Sequence, residues 1–83
     1  MEKFTLVTGG TGYIGSHTVV ALMEAGYQVV IVDNLENSSD KVLSRIESIT
    51  GTSPVFIRAD LRETTTITKI FEEYPITSVV HFA

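Results

Sequence analysis

The chain has 83 residues, six basic side chains against ten acidic ones, a formal charge of -4 and no cysteine. That length allows one domain or part of one, burying only about 60% of the surface of the unfolded chain. The acidic balance argues against nucleic acid as a partner, and the missing thiols exclude a disulfide framework and a thiolate metal site.

From the amino terminus, Met1, Glu2 and Lys3 lead straight into a short apolar run, without the basic flank and longer apolar stretch of a signal peptide. No run approaches the roughly 20 apolar residues of a membrane span. A soluble protein of the reducing cytoplasm, without membrane contact, is therefore expected.

Apolar, β-branched runs at Phe4 to Val7, Val29 to Val32, Val55 to Ile57 and Val79 to Phe82 predict four strands. The runs are nearly continuous, so both faces of each strand should be covered, as in a parallel sheet between helices. A first helix is predicted from Tyr13 to Ala25, stopped by Gly26, with Ile14, Thr18, Ala21, Leu22 and Ala25 as one stripe. Val19, Val20 and Met23 lie off that stripe, so the helix is apolar almost all round. A second helix is predicted over about 39–50, capped by Ser38 or Ser39, with Val42, Leu43, Ile46 and Ile49 inward and Gly51 as its stop. A third runs from about Thr65 to Tyr74 with Ile67, Ile70, Phe71 and Tyr74 inward, ended by Pro75. Right-handed crossovers would order the strands 3-2-1-4, the first half of an α/β, Rossmann-like doubly wound parallel sheet. The chain ends at Ala83, within or at the end of the fourth strand, where such a domain ordinarily continues into another loop and helix, so residues 1–83 read as part of a longer protein.

Between the first strand and first helix stand Gly9, Gly12 and Gly15, three residues apart. Gly9 permits a sharp turn, Gly12 lets backbone approach a pyrophosphate, and Gly15 lets the helix pack on the strand. The helix start then offers N–H groups and the positive end of its dipole to an anion. An ordinary tight loop is the competing explanation of glycines alone, but Asp33 ends the second strand 18 residues beyond Gly15, which is the context of a dinucleotide site. A carboxylate there can accept from both adenosine ribose hydroxyls and would repel a 2′-phosphate, favouring NAD over NADP. A turn or helix cap is the other reading of Asp33. Asp60, Leu61, Phe82 and Ala83 follow the third and fourth strands and should line the same crevice. For Asp60 the alternative is a solvated loop acid, and for Phe82 a core role.

These residues resemble the extended short-chain dehydrogenase/reductase family, whose TGxxGxxG pattern is matched by Thr8, Gly9, Gly12 and Gly15. Within it, TGGTGYIGSHT at 8–18, VDNLENSS at 32–39, ADLR at 59–62 and VVHFA at 79–83 are similar to the members that invert C4 of a UDP-hexose. Dehydratases and decarboxylases of other sugar nucleotides more usually have Phe where Tyr13 stands. The resemblance implies that Tyr13 and Ile14 meet the pyrophosphate through their backbone and that Asp33 holds the adenine ribose. It implies Asn34, Asn37 and Ser38 on the ribose and phosphate side, Asp60 and Leu61 at adenine, and Phe82 and Ala83 near the nicotinamide half. It further implies tightly held NAD, hydride removal from C4 of the UDP-hexose and its return to the other face, and a homodimer for the full-length protein.

The acid/base tyrosine of such enzymes has a Lys four residues on, and none of Tyr13, Tyr27 and Tyr74 does, so no catalytic residue is assigned. A substrate domain is missing as well, and 83 residues alone are expected to be inert, to bind NAD weakly and to associate through the outer side of the first helix. A non-enzymatic NAD-sensing module is the alternative of another class. His17 and His81 lack Cys or clustered carboxylate partners and read as structural residues. Glu72 and Glu73 point to different faces of their helix, and Thr64 to Thr66 read as its N-cap.

Overall fold

The structure, a computed structural model, describes residues 3–34 and 41–82. In chain order its elements are β1 (Phe4–Thr8), α1 (Tyr13–Glu24), β2 (Gln28–Asp33), α2 (Lys41–Thr50), β3 (Val55–Arg58), α3 (Thr64–Glu73) and β4 (Ile76–His81). The strands pair in parallel in the order β3-β2-β1-β4, the expected opening half of a Rossmann-like doubly wound sheet.

Alternate residues of the central strands face opposite layers. Val7, Val29 and Ile31 pack with Val19 of α1 and Ile46 of α2 on one side. Leu6, Val30 and Val32 pack with Ala59 and Ile70 of α3 on the other. Each such aliphatic side chain contributes about 1.5–3 kcal/mol by leaving water, so the two central strands anchor the domain. Their carboxyl ends, Thr8 and Asp33, are thereby held on a rigid floor.

The helix ends follow local chemistry. Gly26 and Gly51 follow α1 and α2, and Tyr74 turns extended after α3 because Pro75 disfavours a helical residue before it. The N-cap of α3 is Glu63 and not one of Thr64 to Thr66, which lie inside the helix, where Thr68 bonds the Thr64 carbonyl at 2.9 Å. The proposed caps Ser38 and Ser39 of α2 lie outside the described residues.

Three other expectations are corrected. The buried side of α1 is Gly15 and Val19, while Ile14 is 65% exposed and Ala21 and Ala25 face solvent. A helix apolar almost all round gives no hydrophobic direction, and the contact of Gly15 with the turn before it chooses the face. Ile49, at the end of the predicted stripe of α2, and Phe71, within that of α3, are exposed. Finally, only β1 and β2 are covered on both faces; β4 is an edge, with Val79 52% exposed. β4 also begins three residues before the predicted start, at Ile76. Its polar Thr77 and Ser78 interrupt the apolar run, and Ser78 exchanges a 2.9 Å hydroxyl hydrogen bond with Thr5.

Candidate functional site

The glycine turn leaves β1 at Gly9, whose φ of +72° is a conformation that L side chains seldom adopt. Its N–H reaches back to the Val32 carbonyl at 3.0 Å, and its own carbonyl receives the Gly12 N–H at 3.2 Å. A Cβ on Gly15 would drive into that same Gly9 carbonyl, and one on Gly10 would stand 2.7 Å from Cγ2 of Ile31. Both glycines are thus demanded by packing, Gly10 without having been singled out from the sequence. Gly12 differs. Its backbone is extended in ordinary φ, and a Cβ there would meet nothing nearer than the Gly9 oxygen at 3.5 Å. The fold itself would admit a side chain at position 12. Tyr13 and Ile14, both exposed, open α1 directly after it, in the first turn, where N–H groups lack intrahelical acceptors.

Asp33 ends β2 beside this turn. Its Oδ2 accepts the backbone N–H of Thr11 at 3.1 Å and the Thr11 hydroxyl at 2.5 Å. Thr11 is fully buried, and the sequence reading missed it because a threonine between two glycines carries no spacing signal.

The third strand end is held differently. Asp60 accepts from Arg62 through Nε at 3.1 Å, Nη2 at 2.8 Å and the backbone N–H at 2.8 Å. The Arg62 side-chain hydrogen bonds first, then its backbone N–H, hold the Asp60 carboxyl at about 2, below its ordinary 3.8. Glu63 closes the turn by accepting the Asp60 N–H at 2.6 Å.

One cavity of about 140 Å³ joins these strand ends, and Gly9, Asp33, Asn34, Asp60 and Leu61 line it. Five predicted site residues therefore meet at one place, outside the carboxyl ends of the strands. Gly12, Tyr13, Ile14 and Gly15 lie on the turn and helix start that follow Gly9 and are not among the residues lining it. Phe82 lies beyond β4, where its N–H continues the pairing to the Thr8 carbonyl at 2.9 Å and its ring is partly exposed. Asn37, Ser38 and Ala83 lie outside the described residues.

The two histidines have local partners. His81 Nδ1 shares a 2.6 Å hydrogen bond with the Thr8 hydroxyl, and the His17 ring meets Tyr13 edge-on at 4.8 Å. Glu72 and Glu73 are exposed on α3. Among the described residues no helix is long and apolar enough to cross a membrane.

A family model described as GDP-mannose 4,6 dehydratase matches residues 6–83. The chain belongs to this family. This member of the GDP-mannose 4,6 dehydratase family is 55% identical over 80 residues to the UDP-glucose 4-epimerase of Yersinia pestis, covering 96% of the chain and 24% of that protein. It is also similar to the crystal structure of UDP-glucose 4-epimerase from Stenotrophomonas maltophila with bound NAD and formylated UDP-arabinopyranose. There the TM-score is 0.93 at 52% identity, over 95% of this chain and 24% of the other. The UDP-glucose 4-epimerase of Bifidobacterium longum in complex with NAD+ and UDP gives a TM-score of 0.94 at 42% identity, over 96% and 24%. The chain spans about a quarter of the length of these relatives.

Proposed function

We propose that residues 1–83 form the NAD-binding portion of a UDP-glucose 4-epimerase, which interconverts UDP-glucose and UDP-galactose through a 4-keto sugar. The observation that carries this reading is the cavity on which Gly9, Asp33, Asn34, Asp60 and Leu61 converge, beside a Gly12 that the fold itself does not require. The residues fit the cofactor. Gly9, Gly12 and Gly15 open the way for the pyrophosphate to the N–H groups of Tyr13 and Ile14. Asp33 accepts from the adenine ribose, with Asn34, Asn37 and Ser38 on the ribose and phosphate side. Asp60 and Leu61 hold adenine, and Phe82 and Ala83 border the nicotinamide half. When bound, NAD would supply the hydride acceptor for C4 of the sugar. The chain's own contribution is binding and orientation, and the acid/base groups belong to other parts of the protein.

A UDP-hexose as substrate, a homodimer and a cytoplasmic location belong to the same proposal for the whole protein. The description of the matching family model favours a second reading, a sugar-nucleotide 4,6-dehydratase. Tyr13 and the Asn37-Ser38-Ser39 run favour the epimerase.

The test is an NAD titration to millimolar concentration, followed by the amide signals of Gly9, Gly12 and Tyr13, with Asp33→Ala as control. Saturable shifts weakened at least tenfold by Asp33→Ala, about 1.4 kcal/mol, are expected. Shifts insensitive to Asp33→Ala would overturn the assignment. For the longer protein, appearance of UDP-galactose from UDP-glucose supports the epimerase, and loss of water from the sugar supports the dehydratase.

A further inference from the structure

We infer that Thr11 is the positioning residue that aims the Asp33 carboxylate and thereby sets the preference for a cofactor with a free adenosine 2′-hydroxyl. The inference deepens the proposed NAD reading and rests on it. Two donors of one residue, the Thr11 N–H at 3.1 Å and its hydroxyl at 2.5 Å, converge on a single oxygen, Oδ2, across 22 positions of sequence. Two bonds to one oxygen fix both the side-chain rotamer of Asp33 and the plane of its carboxylate. Thr11 is 1% exposed, so water does not replace the hydroxyl in this clamp. Asp33 itself is only half-buried and lines the cavity. Without the clamp its carboxylate loses both bonds that orient Oδ2, so it meets a ribose hydroxyl, or repels a phosphate, less squarely.

Thr11 lies between Gly10 and Gly12, so the bond also ties two functions together. The turn that faces the pyrophosphate and the strand end that faces the ribose move as one body.

The test compares the dissociation constants of NAD and NADP for the unaltered chain, Thr11→Val, Thr11→Ser and Asp33→Ala. Thr11→Val keeps the shape and the N–H but removes the hydroxyl; Thr11→Ser restores it. NAD binding about tenfold weaker in Thr11→Val, with NADP little changed and Thr11→Ser within about twofold of the unaltered chain, supports the assignment. An equal loss for both cofactors in Thr11→Val assigns Thr11 a merely structural role and overturns it. So does an unchanged NADP to NAD ratio, or a Thr11→Ser that behaves like Thr11→Val, and in these cases the cofactor reading stands. An unaltered chain that does not prefer NAD to NADP overturns the cofactor reading and this inference with it. Amide spectra of each variant report whether the fold is retained, and Thr11→Ala, which also removes the hydroxyl, carries the comparison should Thr11→Val unfold.

Discussion

Two strand ends meet at the same cavity and are built on opposite principles. The turn after β1 is held by volume, with Gly15 against the Gly9 carbonyl and Gly10 against Ile31. The turn after β3 is held by charge at the surface, where Arg62, 91% exposed, folds over Asp60. Steric fit tolerates no enlargement but is indifferent to salt and acid. A surface ion pair tolerates many neighbours but yields to both. The rigid end faces the pyrophosphate in the proposed site, where backbone must approach closely. The charged end faces the adenine ring, which asks for less exact placement.

The sharpest way to break the contrast is Gly15→Ala. Its methyl has no room against the Gly9 carbonyl, and the backbone of α1 must move away from β1. A loss of about 3 kcal/mol or more is expected in urea denaturation. A loss below about 1 kcal/mol would mean that the turn is not held by volume. Gly10→Ala is milder, about 1–3 kcal/mol, because its clash is with side-chain carbons of Ile31 and not with backbone. In Ile31→Ala the obstructing carbons are gone, so the double variant should recover at least about 0.5 kcal/mol relative to the sum of the single changes. Strict additivity would place the clash elsewhere.

The smallest effect belongs to the charged end. The Asp60 carboxyl is held at about 2 against an ordinary 3.8, so its contribution is complete at neutral pH. It fades as the pH falls through 3.8 and is gone once Asp60 is protonated below about 2. Arg62→Ala should return the midpoint seen in a carboxyl-detected NMR titration towards 3.8, with little change in stability near pH 7. A midpoint that stays near 2 in Arg62→Ala would assign the effect to something other than the arginine.

Much of this arrangement was legible in the residues themselves. Glycines three apart after a β-branched run, followed 18 residues later by Asp33, located the turn, the helix start and the second strand end together. The strand order followed from element order and the handedness of crossovers. What escaped was whatever depends on a contact between distant residues. The inward face of α1 could not be read because Ile14, Val19, Val20 and Leu22 are all apolar, and a backbone contact at Gly15 decides among them. The start of β4 was hidden by Thr77 and Ser78, polar residues that interrupt the apolar run. Thr11 carries no periodic signal, since only the fold brings it to Asp33, and Arg62 gains its meaning from the turn that returns it to Asp60.

The strand order also sets the timing of folding. β1 is made first, yet it lies between β2 and β4, and its bond from Thr5 to Ser78 spans 73 positions. At the usual pace of a ribosome the second neighbour emerges about 4–15 s after the first strand. Throughout that interval one border of β1 is open, and closing it requires a long loop to form before any contact repays the cost. The strand that carries the glycine turn is therefore the one that waits longest for completion, and nascent chains are expected to depend on protection from aggregation until β4 arrives.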